Sequence, residues 1–516
     1  MYLSVMKSFI FINSLIRRLR PDLCALYPAE TPEQQADWLG WLMTSGVSEY
    51  RILKECEDFR QQLAVMHPSG LTMLQWLVYR TRTDVQKAFP LASGVESIRT
   101  WFYRHGVAEH QLWDWLSAQE QQQAKVLGVS VPNLRTLPSV QEASDLPFGV
   151  NLIGYAYGQL GIGEDLRMTA KALMAVDIPV DIVNFPPGKD IPQNDHSVDA
   201  WVVDKGRYAI NVFCMTALEQ GRYWVERGSE QLQGRYNIGY WPWELSEWPK
   251  EWQDLTALVD EVWVSTRHIY DALAPISPVP VQIMPLAVDV AEQRLFTDQA
   301  EARRYFQLPE LAYLFCFSFD LNSSMHRKNP QAILRAFQQA FKADDVSVGL
   351  VIKAHKPNKP NIHWQALKAL AEQDRRLIIV EQTLPRDELL ALYAACDCFV
   401  SLHRAEGYGR GIAEAILLGK QVIATGYSGN VDFCYGLPQV HLIDSQLVDV
   451  NSGEYPYGEG QHWAEADSTQ AASAMRLCVA DHQRQRLLTL AQQQRFLPQF
   501  VGQRYAKRLH YISSIH

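Results

Sequence analysis

The chain has 516 residues, more than one hydrophobic core supports, since cores stop growing beyond about 250–300 residues, so two to four domains are expected. Hydrophobic residues make up 47% and charged residues 20%, a globular balance that excludes a disordered or fibrous chain. The formal net charge of −9 excludes the clustered basic surface on which nucleic-acid affinity rests, so any phosphate must be held locally by a few residues.

No stretch approaches the roughly 20 apolar residues that span a bilayer, and no small-residue cleavage site follows the apolar run at the start. The expectation is a cytoplasmic protein. The opening segment MYLSVMKSFIFINSLIRRLR sets an apolar stretch before Arg17, Arg18 and Arg20. It reads either as a terminal helix docked on a core or as an anchor in reversible contact with anionic lipid at the inner membrane.

Trp, Leu, Gln and Glu at helical spacing predict a mostly helical accessory region over 1–140, a surface for membrane or partner-protein contact. It contains an internal echo. Tyr27-Pro28, Trp41 and Gly46-Val47-Ser48-Glu49-Tyr50 return as Phe89-Pro90, Trp101 and Gly106-Val107-Ala108-Glu109-His110, which suggests two copies of one helical unit. A Gln run and prolines over 121–147 read as a linker. The eight cysteines lie mostly in apolar runs, as buried free thiols do, and Cys396 and Cys398 lack a second pair at zinc-like spacing.

From Phe148 the texture becomes α/β. FGVNLIGYAY reads as a strand, LGIGEDLRMTAKALMAVD as an amphipathic helix and IPVDIVNF as a strand, a βαβ opening for a half over 148–295. A second set over 296–485 runs from the strand YLFCFSFD through alternating helices and strands to CFVSL, the helix IAEAILLG and the strand QVIAT. The alternation predicts two Rossmann-like, doubly wound parallel sheets, followed by a helix over 486–516 that packs back on the first half. In such sheets ligands bind outside the carboxyl ends of the strands.

The strongest motif follows CFVSL and runs from His403 to Glu414. Glu406 and Glu414 stand eight residues apart with Gly407, Gly409 and Gly411 between them, the first on a strand-end loop and the second in the following helix. Amides of this loop can hold phosphate at the positive end of the helix. Carboxylates accept charge-assisted hydrogen bonds from the vicinal hydroxyls of sugars and ribose. Two carboxylates flanking a phosphate nest describe a nucleotide-sugar site.

This stretch, HRAEGYGRGIAEA, resembles the E-x7-E signature of retaining glycosyltransferase family 4 (glycosyltransferase group 1, GT-B fold), of the polysaccharide and O-antigen type, and Gly419 to Thr425 fits the strand that follows in that family. The resemblance covers roughly 148–485 and implies two Rossmann-like domains, and the helical residues 1–140 lie outside it. It implies that Glu406 contacts the donor sugar, Glu414 the ribose, and Gly407, Tyr408 and Gly409 the sugar or diphosphate. Lys328 matches the family's diphosphate lysine. Phe319-Asp320 replace the usual Gly-Arg, so Arg327 is the candidate second cation. Gly161 and Gly163 match a family loop near the donor phosphate or acceptor. Ser428, Gly429, Asn430 and Asp432 fall on another strand-end loop near the donor. Glu244, in the run Tyr240 to Pro249, matches an acceptor-side carboxylate, with tryptophans as sugar-stacking walls. As a dinucleotide fingerprint the loop at Gly161 fails, because Leu166 stands at the third glycine position, although Asp181 sits at a ribose-like spacing. His268, His355 and His403 read as satisfied core residues.

The implied activity is retaining transfer of a hexose, GDP-mannose or a UDP-sugar being the donor, to a glycan or lipid-linked acceptor in bacterial surface polysaccharide synthesis. The nucleotide-sugar is a co-substrate, and neither cofactor, metal nor nucleic acid is expected. A nucleotide-sugar epimerase or phosphorylase of the same fold, and a non-catalytic glycan-binding scaffold, remain as alternatives.

Overall fold

The computed structural model describes residues 8–130, 146–188, 191–290, 295–296, 298–321, 323–355, 361–481 and 488–515. The chain divides into two compact units, Met1–Leu146 with Ala217–Tyr236, and Pro147–Thr216 with Asn237–His516. Most of the linker read over 121–147 lies outside the described residues.

The first unit is helical. The helix Phe9–Leu19 buries Phe9, Phe11, Ile12, Leu15 and Ile16, with the Phe9 ring stacked 4.4 Å from Phe59 and Phe11 lying 5.7 Å from Trp224. The Arg17 guanidinium donates to the carbonyls of Tyr27 and Pro28 at 3.2 and 3.0 Å. The buried apolar side of this helix therefore packs on protein, while Ile10 stays exposed. No helix among the described residues is long and apolar enough to cross a membrane.

The two echoing segments adopt one sequence of elements. The helix Pro32–Trp41, a π-turn Leu42–Gly46 and the helix Val47–Glu49 recur as Glu96–Trp101, Phe102–Gly106 and Val107–Glu109. In each, the glycine ending the π-turn gives room to an indole, since a Cβ there would lie 3.3 Å from Trp41 or 3.2 Å from Trp101. Each copy is tied by an arginine outside the recognised echo: Arg20 pairs with Glu49 at 2.7 Å and Arg82 with Glu109 at 2.6 Å. The same guanidiniums lie 5.7 and 5.5 Å from the rings of Trp41 and Trp101.

The second unit holds two six-stranded parallel sheets. In the first half, β1 (Val150–Gly154), β2 (Val180–Asn184), β3 (Ile210–Cys214), β4 (Tyr236–Tyr240), β5 (Glu261–Val264) and β6 (Val281–Ile283) take the order β2-β1-β3-β4-β5-β6. In the second half, β7 (Tyr313–Asp320), β8 (Val348–His355), β9 (Leu377–Glu381), β10 (Cys398–Ser401), β11 (Gln421–Thr425) and β12 (Val440–Ile443) take the order β12-β11-β10-β7-β8-β9. In this doubly wound order the direction of winding reverses between β7 and β10, and there a ligand crevice opens at the carboxyl ends.

Burial follows the pleat. One face of β7 and β8 supplies Phe315, Phe317, Phe319, Leu350, Ile352 and Ala354 to a core completed by the helices Pro330–Ala340, Ile362–Gln373 and Ser468–Ala480. An antiparallel hairpin, β13 (Ser445–Asp449) and β14 (His462–Ala466), follows β12 and had no counterpart in the sequence reading. The last helix, Pro498–Ile515, returns to the first half. There Tyr505 bonds to the Pro285 carbonyl at 2.6 Å, Arg508 pairs with the buried Glu261, and Gly502 fits where a Cβ would meet the Ala172 carbonyl at 2.0 Å. All eight cysteines are free, and all but Cys24 are buried.

Candidate active site

The loop after β10 is held rigid from behind. His403 is fully buried, its ring nitrogens 3.0 Å from Ser401 Oγ and 2.9 Å from Asn430 Oδ1. Asn430 in turn donates to the Thr425 carbonyl at 2.9 Å. The Glu406 N–H donates to Ser428 Oγ and the Gly429 N–H to the Glu406 carbonyl, each at 2.9 Å. A Cβ on Gly429 would lie 2.0 Å from the Gly407 carbonyl, so only glycine allows this approach. Ser428, Gly429 and Asn430 thus buttress the loop and do not line the cavity in front of it.

Gly409, at φ +92, turns the chain into the helix Arg410–Leu417. The N–H groups of Gly407, Tyr408, Gly409, Arg410 and Gly411 find no acceptor among the described residues. All five residues line a cavity of ≈ 440 Å³ between the two halves. Consecutive free amides at a helix N-terminus form a nest for an anion. The first half clamps this loop: Thr266 Oγ1 donates to the Gly407 carbonyl at 2.8 Å, Tyr408 to the Leu286 carbonyl at 3.1 Å, and Arg410 Nε to Asp165 at 3.0 Å.

At one end of the nest Glu406 meets two cations. Lys328 Nζ contacts Oε1, and Arg327 NH1 lies 3.3 Å from Oε2. Burial opposes the charged form of Glu406, but Lys328 and Arg327 outweigh it and hold the carboxyl down at about 2. Arg327 also donates to the Ala405 carbonyl at 2.8 Å and to Ser323 at 3.0 Å, so it fixes the loop as well as charging it. Glu244 reaches this end from the first half, 3.9 Å from Arg327, and accepts from the Tyr455 hydroxyl at 2.6 Å. Tyr455 lies in the β13–β14 connection, and nothing in the sequence pattern pointed to it.

At the other end, Arg386 NH1 lies 2.6 Å from Glu414 Oε1, and Arg386 Nε lies 3.3 Å from Oε1 of Glu164 in the first half. Neither contact is an aligned hydrogen bond, and Nε and NH2 of Arg386 find no acceptor among the described residues. Glu164 continues the chain of charges to Arg167 at 3.0 Å and on to Asp195 at 3.2 Å. Burial raises the Glu414 carboxyl above its ordinary range, against the pull of Arg386 and Arg410. Arg386, Arg410, Glu164 and Asp165 were not singled out from the sequence. The available signal was position, since Arg386 opens the helix that follows β9 and Arg410 lies within the nest itself.

The remaining candidates divide. Gly161 lines the cavity with none of the described residues within 4 Å of a Cβ position, whereas Gly163 packs where a Cβ would meet the Gly158 carbonyl at 2.3 Å. Trp241, Trp243, Trp248 and Trp252 do not form an open stacking wall. They bury one another, with Trp243 and Trp252 5.2 Å apart, because large apolar rings gain more from mutual packing than from solvent exposure. From that run, only Pro242 and Glu244 line the cavity. Asp432 accepts from the Arg267 N–H at 2.7 Å, and His268 contacts the Glu244 carbonyl at 2.8 Å. Asp181 is spent on Arg207 at 2.6 Å. His355 does line the cavity, beside Thr383 at 3.2 Å.

Residues 315–437 match the family described as Glycosyl transferases group 1. No curated protein matches the chain. Among solved structures, sucrose-phosphate synthase from Thermosynechococcus elongatus is similar at 15% identity and a TM-score of 0.53, over 72% of this chain and 100% of that one. A glycosyltransferase from Rickettsia africae is similar at 11% identity and a TM-score of 0.52, over 71% and 98%. The chain thus has the GT-B fold and carries, within its second half, a domain of the glycosyl transferases group 1 type.

Proposed function

We propose that this chain is a retaining glycosyltransferase that moves a hexose from a nucleotide-diphosphate sugar, GDP-mannose or a UDP-sugar, to a hydroxyl of a glycan or lipid-linked acceptor, in bacterial surface polysaccharide synthesis. The observation that carries the proposal is the row of amides from Gly407 to Gly411 that have no acceptor among the described residues, with Glu406 and Lys328 at one end and Glu414 and Arg386 at the other. An anion seated on the amides has a carboxylate on either side for hydroxyls, the arrangement that a sugar–diphosphate–ribose ligand needs.

In the proposed reaction the diphosphate lies on the amides and draws Lys328 from Glu406, which frees that carboxylate to accept hydroxyls of the sugar. The bond from the anomeric carbon to the diphosphate breaks as the acceptor oxygen bonds to the same face. The acceptor's proton passes to a diphosphate oxygen. Lys328 and the amides stabilise the charge that grows on the leaving group, and the clamped halves exclude water. Glu244 faces the acceptor side. The test is turnover of labelled GDP- and UDP-sugars with a lipid-linked glycan extract. Release of nucleoside diphosphate with label in the glycan is expected; a donor that binds and is never consumed would leave a binding protein instead.

A further inference from the structure

Ser318 and Asp320 on β7 stand opposite Lys353 and His355 on β8. These four side chains share the face of the sheet turned away from the Phe317, Phe319, Ile352 and Ala354 core, and all four line the cavity. Lys353 is 5% exposed, yet among the described residues its ammonium has no hydrogen bond and no carboxylate at ion-pair distance. Asp320 acts on it only through space, and burial, the larger effect, pushes the amine down to about 8. Every other cation named along this cavity is paired: Lys328 and Arg327 with Glu406, Arg386 with Glu414, Arg410 with Asp165, and Arg167 with Glu164.

A buried charge without a partner is costly, and a methionine of similar length would occupy the same space at no such cost. Asp320 offsets only part of that cost, so such a lysine lowers the stability of the empty protein, and an anion entering the cavity would offset more of it. We propose that Lys353 is a second diphosphate-binding cation, which takes the negative charge of the nucleotide from the sheet side while Lys328 and the Gly407 to Gly411 amides take it from the loop side. This rests on the nucleotide-sugar reading of the cavity and assigns a residue that the motifs do not reach.

The test is Lys353→Met in the full chain, with thermal unfolding in the absence of ligand and calorimetric titration of GDP, UDP, guanosine and uridine. The midpoint without ligand should rise. The Kd for the nucleoside diphosphate that wild type binds should rise about 10- to 100-fold, as for loss of one charge-assisted contact. The Kd for the matching nucleoside should stay within about twofold, since a phosphate contact is absent from it. Unchanged diphosphate affinity overturns the assignment, and so does an equal loss for the nucleoside, which would put Lys353 on the base. A lowered midpoint with loss of all binding would make Lys353 part of the scaffold, and Lys353→Gln, which keeps a polar group there, would then fail in the same way. A wild-type chain that binds neither diphosphate overturns the nucleotide-sugar reading and this assignment together, whereas wild-type binding that ignores Lys353→Met overturns this assignment alone.

Discussion

Arg386 and Glu414 meet at 2.6 Å at one end of the cavity, so the carboxylate proposed for ribose is already engaged by a cation that also touches Glu164 of the first half. Removing the arginine takes the ion-pair partner from Glu414 and leaves Glu164 to Arg167 alone. Arg386→Ala should cost about 3–5 kcal/mol of stability, the range for breaking a buried pair by deleting one partner. Arg386→Ala combined with Glu414→Gln should recover part of the loss, as a double-mutant cycle in urea would show. Additive losses would mean that the two groups do not interact.

Glu406→Ala should abolish most turnover, and Lys328→Ala should cut it about 100-fold or more while the protein stays folded, as loss of charge stabilisation in the transition state does. Steady-state kinetics with circular dichroism as the folding control checks both. Activity that survives Lys328→Ala would shift the diphosphate to Arg327 and the amides.

The depressed carboxyl of Glu406 also sets a pH dependence. Its folded value of about 2 lies below the ordinary glutamate range, so its contribution to stability is fully present above that range and is lost as pH falls towards 2. The stability difference between wild type and Glu406→Gln should therefore be flat from neutral pH down to about 5 and shrink below it. Denaturant titrations at stepped pH measure this.

Lys353 works in the opposite direction. Its folded value of about 8 is below that of an ordinary lysine, so between the two the unfolded chain binds more protons and stability rises with pH. Lys353→Met should be more stable than wild type below pH 8, with the gap closing as pH rises. Asp320, Cys316 and His355 are the titratable neighbours coupled to Lys353, and comparison of the two proteins at each pH cancels most of their own titration.

Gly429→Ala places a methyl 2.0 Å from the Gly407 carbonyl and should move the loop that carries Glu406. Overpacking of this kind typically costs about 1–3 kcal/mol, and turnover should fall with it. Wild-type activity would show that the loop can shift without consequence.

Much of the second half was legible because its strands and helices alternate with clear periods. YLFCFSFD became β7 at Tyr313–Asp320, and the glycine-rich stretch from Glu406 to Glu414 fell at a strand end, where the winding rule places ligands. Local spacing could not show which cations face the same cavity. Arg386 lies far in sequence from Glu164 and is brought to it only by the closure of the two halves. The tryptophans of Tyr240 to Pro249 were ambiguous for another reason: a sugar wall and a buried cluster have the same composition, and only packing distinguishes them. The echo itself was visible at Trp41 and Trp101, but the arginine ties, Arg20 to Glu49 and Arg82 to Glu109, needed three dimensions.

Calorimetric titration of wild type, Glu414→Ala and Lys328→Ala with GDP-mannose and UDP-glucose addresses the nucleotide-sugar assignment at its source. One saturable donor site is expected in wild type, weakened about 10- to 100-fold by either substitution, in keeping with loss of a charge-assisted hydrogen bond in a water-poor site. A wild-type chain that binds no nucleotide-sugar, or one whose binding ignores both substitutions, would contradict it.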